Sequence, residues 1–371
     1  MIRFILILSM LMISDALAGD SSIRETSRSV HVLDLDAQNA DATSQRLFQK
    51  RNEAGQPFEY WVETQSVFCV DEQCKVVTVR IAWDELGHYK RFELAAGVQL
   101  EKAEGKPFSE ADYQKLHNIL ADQDSALKTI LPTEILNHES SDNDVDGVSA
   151  ATPLLYEGAV VKGAAWTCYT LWHCANGQLR QIIHDLTADQ CTVAEIRTYL
   201  QTGDEQHQLF AMEQMMRRKL YDPSSLDAVT SRIPEGSRTV IKMALQYLNQ
   251  APDDAYFPSM TQALTDSRAE QRTMVLNDLL HCSRSPPTHL IEQWSGQLAD
   301  SRSYQHVALL LRLLESHDAS SRTVTNHVLG LLDDPNFLIA RRAYWFLKQR
   351  SLMDAQQERL DAFHHQHAQR L

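Results

Sequence analysis

The chain has 371 residues, of which 43% are hydrophobic and 23% charged, with a formal net charge of −14. This balance fits a globular protein of two or three domains with ordinary cores. The acidic surplus repels polyanions, which argues against nucleic acid as a partner and against plain adsorption to anionic membranes.

Residues 1–18 have the organisation of a signal peptide: Arg3 supplies the positive start, Phe4 to Ile13 the apolar run, and Ala16-Leu17-Ala18 a small-residue cleavage site. That run is too short to span a bilayer, and no later stretch is long and apolar enough to do so. The expectation is a periplasmic or secreted protein without a membrane span. An oxidising compartment allows cysteines to pair. Cys69 and Cys74 flank the turn-like Val70-Asp71-Glu72-Gln73, which predicts a local disulfide, whereas no pairing can be read for Cys168, Cys174, Cys191 and Cys282. The chain has no Cys-x-x-Cys, so the usual redox, zinc and c-type haem signals are missing.

Residues 19–57 are polar and weakly periodic, with one short helix predicted over Ala42 to Lys50. Strand patterning begins at Phe58. Val77, Val79, Ile81 and Trp83 alternate with Thr78, Arg80 and Ala82, the period of a half-buried strand, and Leu86-Gly87-His88 turns the chain into a second strand over Tyr89 to Leu94. The pattern predicts a small antiparallel meander. Ser109 then caps a helix, with Glu110 and Asp112 at its positive end and Tyr113, Leu116, Ile119 and Leu120 as its apolar stripe. His117 sits in that stripe with no partner at metal-ligand spacing, and so reads as a packed or surface histidine.

From Pro132 to Asp146 periodicity fades and charge accumulates. Asp142-Asn143-Asp144-Val145-Asp146-Gly147 matches the opening of a calcium-binding EF-hand loop. Pro153, however, stands where the closing bidentate Glu belongs, and no helix precedes the loop.

The overlapping run Asp146-Gly147-Val148-Ser149-Ala150-Ala151-Thr152 resembles the flavinylation motif of FMN-binding domains: Asp, two variable residues, Ser or Thr, Gly, Ala, Thr. Asp146, Ser149, Ala151 and Thr152 match the pattern, and Ala150 replaces its Gly. The resemblance covers about Phe58 to Leu186. It implies that Thr152 carries FMN through a phosphoester placed by a flavin transferase, and that the protein exchanges electrons with a redox partner. Ala150 adds a Cβ where glycine reaches φ > 0 freely, which weakens the motif if modification requires that geometry. Downstream, Trp166, Tyr169 and Trp172 recur at three-residue spacing and could present faces to an isoalloxazine ring, with His173 beside them to tune the reduced flavin. A stripe of aromatics at helical spacing is more commonly core.

Beyond Leu186 the pattern is helical. Thr192-Val193-Ala194-Glu195 is a capping-box start and Gly203 suits the end of that helix. Leu264-Thr265-Asp266, Leu298-Ala299-Asp300 and Leu332-Asp333-Asp334 recur at a spacing of 34 residues, with Leu279, Leu313 and Leu347 at a common later offset. Asp266, Asp300 and Asp334 are placed to cap the longer helix of each pair. Such a period predicts stacked helical hairpins of HEAT-like type, which generally present a protein-binding surface. The terminal His364, His365 and His367 lie in a polar tail and read as adventitious metal binders at most.

The organisation expected is therefore a signal over 1–18, a polar segment over 19–57, an α+β FMN-binding-like domain over 58–187 and an all-α solenoid over 188–371. The function expected is that of an extracytoplasmic electron-transfer flavoprotein. The alternative is a cofactor-free secreted scaffold that binds protein partners through its repeats.

Overall fold

The computed structural model describes residues 24–33, 42–66, 76–131, 158–202, 204–301 and 303–371. The chain divides into two compact units, Met1–Cys191 and Thr192–Leu371.

The first unit is built on a five-stranded antiparallel meander of β1 (Arg24–Leu33), β2 (Ala42–Arg51), β3 (Pro57–Gln65), β4 (Thr78–Trp83) and β5 (Tyr89–Leu94), in sequential order. The alternation read in β4 holds: Val79, Ile81 and Trp83 are fully buried on one face, while Arg80 lies with its guanidinium 3.9 Å over the Trp61 ring on the other. The stretch predicted as a helix over Ala42 to Lys50 is instead strand β2, paired along its length with β1 and then with β3. The alternation in β2 is disguised because a glutamine occupies a core position. Leu47 and Gln49 are both buried, and the Gln49 amide is satisfied there by Tyr60 Oη and by Gln190 Oε1 at 3.2 Å.

A short hairpin, β6 (Glu101–Lys102) with β7 (Lys106–Pro107), leads into helix α1 (Glu110–Ala121). Ser109 and Asp112 form the capping box that starts α1, and Leu116, Ile119 and Leu120 bury its inner face. Helices α2 (Ala165–Asn176) and α3 (Gln178–Gln190) follow. Helix α1 packs on β5 and α2, α2 on β4, and α3 on β1. The Trp83 Nε1–H donates to the Ala175 carbonyl at 2.7 Å, which ties β4 to the end of α2.

Glycine is required at the β4–β5 turn. Gly87 has φ +82°, and a Cβ there would lie 2.5 Å from the Arg180 carbonyl oxygen of α3.

The second unit is entirely helical in its described residues. It comprises α4 (Val193–Gln201), α5 (Glu205–Arg217), α6 (Pro223–Thr230), α7 (Arg238–Leu248), α8 (Asp253–Asp266), α9 (Ala269–His281), α10 (Thr288–Gly296), α11 (Tyr304–Ser316), α12 (Arg322–Gly330), α13 (Phe337–Leu347) and α14 (Asp354–His367). These helices form two layers. In one, α5, α7, α9, α11 and α13 pack in succession; in the other, α4, α6, α8, α10, α12 and α14 do. Each layer thus takes alternate members of the chain.

The expected capping box at Thr192 and Glu195 starts α4, which ends at Gln201; Gly203 lies outside the described residues. The 34-residue pattern marks core positions, because Leu264, Leu298 and Leu332, and likewise Leu279, Leu313 and Leu347, are all buried. Its aspartates are not the N-caps expected of them. Asp266 is the last residue of α8, and the caps of α9, α11 and α13 fall later, at Arg268, Ser303 and Asn336. In the last case Asp334 acts one step removed, accepting from the Asn336 N–H at 2.8 Å while Asn336 caps the helix. The repeated leucine closes the preceding helix or turn into the core, and from the aspartate two residues further on the chain needs two or three more residues before the next helix begins.

Candidate functional site

Asp146, Ser149, Ala151 and Thr152, with Ala150 and the acidic run from Asp142, lie outside the described residues, as do Cys69 and Cys74. The aromatic part of the expected flavin site is described, and it forms helix α2.

Trp166, Tyr169 and Trp172 are 8%, 4% and 3% exposed, so protein takes up nearly all of their surface. The Trp172 Nε1–H donates to the Asp122 carbonyl at 2.8 Å, fixing α2 to the end of α1. His173 Nε2 lies 3.1 Å from the Leu127 carbonyl oxygen, and because a carbonyl only accepts, the imidazole proton sits on Nε2. Burial lowers the His173 pKa below the ordinary imidazole value and favours the neutral ring. Tyr169 and His173 pack at a ring-centroid distance of 4.2 Å, and Trp166 and Tyr169 at 5.4 Å. The structure therefore brings the four predicted residues together, with Trp166, Tyr169 and Trp172 in the core that seats α2 against α1 and the sheet and His173 half-buried beside them.

Of the thiols on this helix, Cys168 is buried and Cys174 is partly buried against the same core. Burial pushes both Cys168 and Cys174 up to about 12, and Cys168 Sγ accepts from the Val161 N–H at 3.3 Å. No disulfide joins Cys168, Cys174, Cys191 or Cys282 to one another. Among the described residues there is no group of three or more His, Cys, Asp or Glu arranged to hold a metal ion. The terminal histidines belong to α14, where His364 Nδ1 lies 2.9 Å from Tyr344 Oη and His367 packs on Phe363.

Two features escape sequence reading. The first is a charge cluster on the sheet. The Glu59 carboxylate, its side chain only 7% exposed, accepts from Arg91 through both oxygens at 2.6 and 3.1 Å and from Lys50 Nζ at 2.9 Å, with Lys90 Nζ 3.6 Å away. The paired guanidinium is the main reason its pKa falls to about 2. This cluster depends on the register of β2 against β3, which places Lys50 opposite Glu59.

The second is a pair of grooves on the α6–α8–α10 layer. One, of about 580 Å³, runs between α8 and α10 and is lined by Phe257, Thr261, Leu290 and His289 with Asp253, Asp254 and Asp266. The other, of about 480 Å³, runs between α6 and α8 and is lined by Tyr221, Leu226, Asp227 and Ala255. Asp254, Pro258 and Gln262 border both, one helical turn apart on a single face of α8, and so form the ridge between them. Prolines begin each of the three helices: Pro223 is the first residue of α6, and Pro252 and Pro287 are the caps of α8 and α10. The signal available in the sequence was Pro258 inside a helical pattern, where it withholds an N–H from the Asp254 carbonyl.

Compared with known proteins, the chain matches no family model, no curated protein and no solved structure. Among the described residues no helix is long and apolar enough to cross a membrane.

Proposed function

We propose that this chain is an extracytoplasmic scaffold in which an α-solenoid of HEAT-like hairpins, over residues 192–371, binds a protein partner. The observation that carries this reading is the pair of open grooves on the α6–α8–α10 layer, which offer an apolar floor and a polar rim of the kind peptides and helices dock into. Successive helices of a two-layer stack bury their inner faces on one another, which leaves the seams between neighbours as the surface on which binding is built. The first 18 residues support export of the chain.

The sequence run from Asp146 to Thr152 favours a second reading, in which Thr152 holds FMN covalently after the action of a flavin transferase and the chain passes electrons to a redox protein. Against it stands the burial of Trp166 and Trp172 in the core of the first unit, with the Trp172 N–H already donating to the Asp122 carbonyl.

The scaffold reading is tested by placing a photo-crosslinking residue at Gln262, on the ridge of α8, and in a second variant at Glu358, exposed on α14. Illumination in the native host should give a discrete adduct from position 262 and none from 358. Equal labelling from both, or none from 262, would count against the grooves as the working surface.

A further inference from the structure

The same grooves define their occupant by charge, and we infer that the α8–α10 groove takes an extended peptide segment bearing two cationic side chains five or six residues apart, with apolar residues between them. This inference deepens the scaffold reading and rests on it.

The floor is apolar, from Phe257 and Leu290. The rim is acidic at both ends of α8: Asp254 stands in its first turn and Asp266 is its last residue, and both are exposed. Asp253, beside them, is already paired with Arg284 at 3.0 Å. Neither Asp254 nor Asp266 has an ion pair among the described residues, and neither does Asp227 on the far side of the ridge. The ridge adds a neutral acceptor, because Pro258 has no N–H with which to close the helical hydrogen bond to the Asp254 carbonyl. Among the described residues that line the groove, His289 is the one basic side chain. The groove thus presents acceptors and negative charge around an apolar strip, complementary to a segment of donors and positive charge around apolar residues.

Length sets the spacing. Twelve residues of α-helix separate Asp254 from Asp266, about 18 Å at 1.5 Å per residue. An extended chain rising ~3.3 Å per residue covers that distance in five or six residues. Arginine fits better than lysine, since its planar fork can bind carboxylate in bidentate fashion and lies flat against apolar surface.

The test uses the full chain and a fluorescein-labelled hexapeptide, Arg-Leu-Ser-Leu-Ser-Arg, followed by fluorescence anisotropy. Binding should fall at least tenfold when glutamates replace the arginines, and at least fivefold when the two arginines are made adjacent. The double variant Asp254→Asn, Asp266→Asn should lose at least tenfold in affinity with an unchanged thermal midpoint, while Glu358→Gln, Asp361→Asn on α14 should change it less than twofold. Equal losses in the two double variants would mean that the probe senses only the overall acidity of the chain, and would overturn the assignment. Absence of probe binding would overturn it too, without bearing on whether position 262 crosslinks to a protein. Sedimentation gives the remaining outcome: a dimer of the full chain that dissociates in the Asp254→Asn, Asp266→Asn variant would place a second copy in the groove and reject the cationic peptide.

Discussion

Single residues carry two kinds of information here, only one of which was readable in advance. Ser109, Thr192 and Glu195 act locally, and their capping roles follow from neighbours three residues away. Glu59, Gln49 and Gly87 act through partners distant in sequence. Gly87 needs its positive φ for the turn, but the contact that excludes a side chain comes from Arg180. Glu59 is stabilised by cations that strand pairing delivers, which fixes the sign of a pH effect. Its folded pKa of about 2 lies below the ordinary 4.5, so the stabilisation is complete above about pH 4.5 and is lost as pH falls toward 2. At ~1.4 kcal/mol per pKa unit, and allowing for screening of the half-exposed cations, this amounts to about 2 kcal/mol. Denaturant unfolding of Glu59→Gln between pH 5 and pH 2.5 should lack that part of the acid loss; an acid limb identical to that of the unsubstituted chain would remove Glu59 as its source.

At the scale of elements, legibility followed the purity of the periodic pattern. The alternation in β4 and the stripe of α1 are apolar where they are buried, and both were readable. Strand β2 was not, because Gln49 fills a core position and joins Tyr60, Gln190 and Arg51 in a polar network that only the tertiary fold can satisfy. Helix α2 has aromatics at helical spacing, and the structure uses them as packing. The cap positions of α9, α11 and α13 were missed by two or three residues because an Asp near a helix start satisfies the same pattern whether it ends one helix or begins the next. The strand-to-helix joint at Trp83 offers a check. Trp83→Phe keeps most of the buried ring but loses the donor to the Ala175 carbonyl, and should cost about 1–3 kcal/mol in denaturant unfolding. A cost below ~0.5 kcal/mol would mean that this hydrogen bond does not hold β4 to α2.

At the scale of the molecule, the chain joins an antiparallel sheet with packed helices to a two-layer stack of helices, and the change between them falls after Cys191. The broad order of sheet first and helices after was legible, since strand and helix periods differ and the 34-residue leucine repeat runs through the second unit. The first unit begins earlier than the strand pattern suggested, because β1 and β2 fall in the stretch read as a polar segment. The grooves were not legible: they depend on which helices become neighbours within a layer, and only Pro258 hinted at them.

The scaffold account and the flavin account differ most sharply in the mass of the finished protein. The full chain, expressed with its first 18 residues in a host with an active flavin transferase and a co-expressed FMN-binding control domain, is denatured and weighed intact. The scaffold account predicts the unmodified mass while the control carries its flavin. One FMN retained on the denatured chain and mapped to Thr152 would contradict it, and would make electron transfer the function to pursue.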